Sequence, residues 1–214
     1  MSKPLTALIL GTVAAVAAVA GLVVANFVFK PDQLPGTAIA TGTLLPTPRA
    51  IPDFALQGTD GQPFTRAQLD GKWSVIFVGF TRCPDICPNT MGVLKAVHGK
   101  LAATGQSLQV VLLSVDPERD TPEALKQYVT YFDPSFRGAT GPNAELDKLG
   151  SAMGFVYMKS PGATPESYNV DHSSALILIN PQAQVAGYFT PPFKVDPLVT
   201  DLRSILTGSS GGAA

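Results

Sequence analysis

Two short, β-rich apolar runs, each followed at once by an amphipathic helical pattern, constrain the fold of this chain more than any other feature. The runs are Trp-Ser-Val-Ile-Phe-Val-Gly-Phe at 73–80 and Leu-Gln-Val-Val-Leu-Leu-Ser-Val at 108–115. Apolar stretches of this length belong to strands covered on both faces. After the first run, Met91, Leu94, Val97 and Leu101 recur at spacings of three and four, which predicts a helix over 86–101. After the second, Thr121 can cap and Pro122 can take the first turn of a helix whose buried face is Leu125, Tyr128, Val129 and Phe132. Two strand–helix units in series imply a parallel sheet. Later strands are expected at 155–158, 175–180 and 184–189. The last two are joined by Pro181-Gln182-Ala183 as an antiparallel hairpin, and a final helix is expected at 196–206.

This order, βαβα and then a hairpin and a helix, is that of a thioredoxin-like α/β sandwich with a central mixed sheet. The sequence places it behind a membrane anchor. From Leu5 to Phe29 the chain carries no charge, and about 20 apolar residues suffice to span a bilayer. The length favours a retained anchor over 1–30 against a removed signal peptide, whose apolar core is only about 7–15 residues. The remainder would then lie on the exported, periplasmic side of the inner membrane. Pro31, Pro35, Pro46 and Pro48 give 31–50 the composition of a flexible linker, and 208–214 reads as a disordered tail. One domain, 51–207, is left between them. Fifteen basic against 16 acidic residues give a net charge of -1, which offers no electrostatic footprint for nucleic acid.

The chemistry concentrates in Phe80-Thr-Arg-Cys83-Pro-Asp-Ile-Cys87-Pro88, where the first strand ends and the first long helix begins. Open α/β sheets carry their sites at such strand ends. Two cysteines four residues apart can bring their sulfurs together on one helical face. A helix N-terminus and the neighbouring Arg82 both favour thiolate, the form that binds metal or attacks a disulfide. A purely structural disulfide fits less well, because closing so short a loop constrains little of the unfolded chain. A structural zinc site would need four Cys or His ligands, which the chain's two Cys and two His would supply only if His98 took part. His98 falls in the helix, about three turns away, and reads as a flank residue. His172 falls in the loop 168–174 before a strand, and in a thioredoxin-like fold that loop reaches the start of the cysteine-bearing helix. Two thiolates and one imidazole form a soft set suited to copper, Cu(I) above all, and not to Mg, Ca or Mn.

Three blocks occur in order: Phe77-Val-Gly-Phe-Thr-Arg-Cys83-Pro-Asp-Ile-Cys87-Pro88, then Ser114-Val-Asp116-Pro-Glu-Arg-Asp120-Thr-Pro122, then Asp171-His172. With the opening Ile51-Pro-Asp-Phe-Ala-Leu56 they resemble the Sco/SenC family of copper chaperones over nearly the whole globular part. The resemblance implies a membrane-anchored thioredoxin-like domain that holds copper, as Cu(I) and also Cu(II), on Cys83, Cys87 and His172. It implies delivery to the copper-site subunit of cytochrome c oxidase, with another periplasmic copper chaperone as a further partner. Such a protein binds and transfers and is not in the first place an enzyme. The other readings of the same cysteines are a thiol–disulfide oxidoreductase and, more distantly, a peroxiredoxin-like peroxidase. Around the centre, Arg82, Asp85, Asp116 and Tyr168 are candidates for supporting or partner-contacting roles. Asp85 can instead cap the helix, Asp116 and Asp120 can serve a turn and a helix start, and Phe80 with Tyr168 can form an apolar docking rim.

Overall fold

The computed structural model of the chain describes residues 39–162 and 167–208. Along them run β1 (Gly42–Ala50), β2 (Ala55–Gly58), β3 (Pro63–Thr65), β4 (Ser74–Gly79), α1 (Ile86–Ala102), β5 (Gln109–Ser114) and α2 (Pro122–Phe132). There follow β6 (Arg137–Thr140), α3 (Asn143–Met153), β7 (Tyr157–Ser160), β8 (Asn169–His172), β9 (Leu176–Ile179), β10 (Gln184–Phe189) and α4 (Val195–Gly208). The two apolar runs of the sequence are β4 and β5. They lie parallel and in register from Ser74 opposite Gln109 to Gly79 opposite Ser114, and β5 lies parallel to β6.

Eight strands form one mixed sheet in the order β1-β10-β9-β4-β5-β6-β2-β3. Its centre is dry on both faces, as the unbroken apolar runs require: Val75, Ile76, Phe77 and Val78 of β4 and Val111 and Leu112 of β5 are buried. Burying one such side chain contributes about 1.5–3 kcal/mol, so these strands form the middle of the core. Helix α1 covers the sheet with Met91, Leu94, Val97 and Leu101, all buried. A Lys100–Asp196 ion pair at 2.5 Å ties α1 to α4 on the surface. At the start of α2, Thr121 accepts the Ala124 amide at 3.2 Å, with Pro122 in the first turn. That bond satisfies one of the amides that a helix start leaves unpaired. The thioredoxin-like mixed sheet and helices α1, α2 and α4 therefore stand as the sequence implies.

Helix α3 and strands β2, β3 and β6 add to the elements expected from the sequence, and three further segments are reassigned. The proposed linker ends early, because Gly42–Ala50 is the edge strand β1, antiparallel to β10. Its prolines are tolerated because an edge strand has one side without ladder bonds, and Pro46 and Pro48 fall where the register breaks between Leu44 and Arg49. The expected strand 155–158 begins at Tyr157 and pairs not with the main sheet but with β8, as a separate two-stranded ribbon. The expected loop 168–174 is therefore largely strand, with His172 as its last residue. Among the described residues no helix is long and apolar enough to cross a membrane. The anchor over 1–30, the linker up to residue 38 and the tail from 209 lie outside the described residues.

Candidate metal centre

The sheet order explains why residues 85 positions apart meet. Strands β4 and β9 are antiparallel neighbours with Phe77 opposite Leu176, so the exit from β4 lies beside the entrance to β9. Cys83 and Cys87 follow the first, and His172 precedes the second. Cys83 Sγ, Cys87 Sγ and a ring nitrogen of His172 all lie within 4.8 Å of one another. Cys87 Sγ and His172 Nε2 are 3.6 Å apart.

Each donor is held by identifiable contacts. Helix α1 begins at Ile86, and the Cys87 amide, one of its unpaired first-turn donors, points at Cys83 Sγ at 3.3 Å. The Cys83 sulfur thus occupies the place of a capping acceptor. Asp85 stands at the cap position, yet its side chain makes no cap bond. It accepts instead from the Asn89 amide group at 2.6 Å, so the expected capping role belongs to the thiol. His172 Nδ1 lies 3.0 Å from the Ser173 carbonyl. A carbonyl can only accept, so Nδ1 carries the proton and Nε2 presents its lone pair to the sulfurs. The imidazole is packed edge-on against Phe77 and Phe80, at centroid distances of 6.1 and 6.0 Å.

The two sulfurs are free thiols of unequal character. Cys87 is fully buried. Burial first, and then the adjoining Cys83 sulfur, push its thiol well above the ordinary range, against a smaller opposing effect of the Phe80 backbone. The lowered thiol expected from the helix start is thus reversed at Cys87. Cys83 is partly exposed and opens, with Phe80, Pro84, Ile86 and His172, onto a depression of about 290 Å³. Ile86, 55% exposed, supplies its apolar rim. Phe80 is buried and supports the imidazole from below, so it is not the exposed docking aromatic anticipated from the sequence.

Some supporting residues fall where expected and others do not. Arg82 is exposed and makes no ion pair among the described residues. Asp116 and Asp120 are both fully buried. Asp120 accepts from the Thr81 amide at 2.8 Å, the Thr81 hydroxyl at 2.5 Å and the Ser114 hydroxyl at 2.6 Å. It fixes the segment entering the cysteine loop to the end of β5, while the cap belongs to Thr121. Asp116 accepts from the Tyr168 hydroxyl at 2.5 Å, which directs that ring away from a free docking rim. The Tyr168 phenol is pushed up to about 12, by burial and then by this bond, so it remains a donor. His98 lies 3.6 Å from Asp133 and packs on Phe136, apart from the centre. A larger cavity, lined by Leu44, Pro48, Trp73 and Ile205 among others, contains no cysteine or histidine.

Gly79 went unnoticed in the sequence. A Cβ there would stand 3.1 Å from Cys87 Sγ, so any other residue would press the sulfur a few tenths of an ångström from its seat. The three donors fit copper on their chemistry: two soft sulfurs, one imidazole and no carboxylate. First-row ions bind such donors at about 2.0–2.3 Å, so donors around one ion stand no more than about 4.6 Å apart. The observed separations meet that with little adjustment.

The SCO1/SenC family model matches residues 43–207. A protein of Stutzerimonas stutzeri that carries a provisional name as copper-binding is 41% identical over 164 residues, covering 76% of this chain and 80% of that one. Arabidopsis thaliana ScoI with copper bound superimposes with a TM-score of 0.66 at 34% identity, over 72% of this chain and 98% of that one. Apo Sco1 of Thermus thermophilus superimposes with a TM-score of 0.69 at 36% identity, over 80% of this chain and 100% of that one. Three mitochondrial relatives are longer proteins, and the chain spans 43% to 60% of their length.

Proposed function

The chain belongs to the SCO1/SenC family, and from that premise we propose that it is a copper metallochaperone serving the binuclear copper centre of cytochrome c oxidase. The observation that carries the reading is the Cys83, Cys87, His172 cluster, with its donor atoms within 4.8 Å and at an open depression. Bound there, copper would be cargo. Three donors, fewer than a closed structural site uses, leave the ion reachable by an incoming ligand. Cys83 and His172 are partly exposed and Cys87 is buried, so an acceptor would displace the first two before the last. Two thiolates suit Cu(I), and the imidazole extends the set toward Cu(II). The uncharged segment 5–29 would hold the domain on the exported side of the inner membrane, within reach of a membrane-bound oxidase subunit and of a periplasmic copper donor.

A thiol–disulfide role for the same pair has one observation in its favour, two free sulfurs within 4.8 Å. Against it stands the imidazole: His172 Nε2 lies 3.6 Å from the Cys87 sulfur, a third donor that exchange between thiols does not need. The test is to mix the copper-loaded, detergent-solubilised full chain with the copper-free binuclear-site domain of the oxidase subunit under reducing, anaerobic conditions. Copper should move to the acceptor. Retention of copper, together with rapid insulin disulfide reduction by the copper-free chain, would favour the oxidoreductase instead.

A further inference from the structure

His172 is carried on a two-stranded ribbon outside the main sheet, and a lone pair of strands is marginal in water. Something must hold that ribbon to the body if the imidazole is to face the sulfurs. At the His172 end, the Ser173 amide donates to the Val156 carbonyl at 2.9 Å, and the Tyr157 hydroxyl, opposite His172 in the register, donates to Asp147 of α3 at 2.7 Å. At the Tyr168 end the ribbon is gripped by another element. Arg119, from the segment joining β5 to α2, donates through Nη1 to the Tyr168 carbonyl at 2.9 Å. Its guanidinium lies over the Tyr168 ring at 3.6 Å and faces the Phe80 ring at 5.8 Å. Asp116 fixes it from behind through Nε at 2.5 Å, and the same carboxylate takes the Tyr168 hydroxyl. Outside, Glu118 pairs with Lys159 of β7 at 2.5 Å.

We infer that Arg119 is a positioning residue for His172: it clamps the backbone at the entrance to β8 and backs the Phe80 ring against which the imidazole rests. The inference rests on the reading of Cys83, Cys87 and His172 as a copper site. The Arg119 side chain is only 12% exposed, with Nη2 buried and unpartnered among the described residues, an expensive way to fill space. A planar, forked cation is what the place requires, because it must bond a carboxylate and a carbonyl while stacking on an aromatic face. Lysine can do only part of this.

The experiment compares Arg119→Lys and Arg119→Gln with wild type in the full chain, alone and combined with His172→Ala. Cu(I) affinity is measured by competition with a chromophoric chelator, and the copper-free ring contacts of His172 by NMR. Loss of a residue that orients a metal ligand typically costs 10–100-fold in affinity. R119K and R119Q should weaken copper by about that factor and abolish the Overhauser contacts between His172 and Phe80. In the His172→Ala background either change should alter affinity by less than about twofold, because the residues act in series. Wild-type affinity with contacts retained would overturn the inference, and so would an equal loss with and without His172. Should R119Q fail to fold, R119K carries the test. A wild-type chain that takes no copper, or a His172→Ala variant of unchanged affinity, would refute the copper-site reading, and the copper-free NMR contacts would still decide the clamp.

Discussion

At the scale of single residues, the centre joins two sulfurs in opposed situations. Cys83 is open to solvent on one side and accepts the Cys87 amide of α1, whereas Cys87 is sealed under Gly79 and keeps its proton. Copper must displace that proton. With the Cys87 thiol raised, the proton is bound throughout the neutral range, so copper affinity should strengthen at least about tenfold for each unit that pH rises. Competition titrations at several pH values check this, and a flat profile would contradict a protonated Cys87. Gly79→Ala puts a methyl group 3.1 Å from the Cys87 sulfur, and should weaken copper several-fold while a cooperative unfolding transition persists. Asp120→Ala strands the Thr81 amide and two hydroxyls, and should cost at least about 2 kcal/mol in denaturant unfolding. The triad itself was legible because the spacing of Cys83 and Cys87 and the donor type of His172 carry chemical meaning. Gly79, Arg119 and the linking role of Asp120 were not, since each acts through a neighbour that only the tertiary fold supplies.

At the scale of elements, what the sequence showed and what it concealed divide by burial. Strands β4 and β5 and helices α1 and α2 read clearly because their apolar periods are imposed by packing on the sheet. Strands β2, β3, β6 and β8 are three or four residues long, too short to display a period. Strand β1 hid behind its prolines, which an edge position admits. This strand has a measurable consequence. Buried Asp201 of α4 binds the Ala40 and Thr41 amides at 3.0 and 2.7 Å and the Thr41 hydroxyl at 2.6 Å. A fragment beginning at Ile51 loses all three bonds and leaves β10 without its outer partner. It should unfold at lower denaturant concentration than a fragment beginning at residue 39, by at least about 2 kcal/mol. Equal stability would mean that β1 is not part of the domain.

At the scale of the whole molecule, one topological fact makes the centre. The antiparallel seam between β4 and β9 brings the end of one strand beside the start of the other, so a cysteine loop and a histidine ribbon converge although far apart in sequence. The near-neutral charge leaves recognition to the local surface around Ile86 and the depression, not to long-range steering. The proposed copper centre requires that all three donors hold the ion. The most direct measurement is copper X-ray absorption on the anaerobically Cu(I)-loaded full chain and on its His172→Ala variant. The wild type should show two sulfur neighbours and one nitrogen, with the nitrogen lost in the variant. A wild-type spectrum of sulfur neighbours alone, unchanged by removing His172, would contradict it.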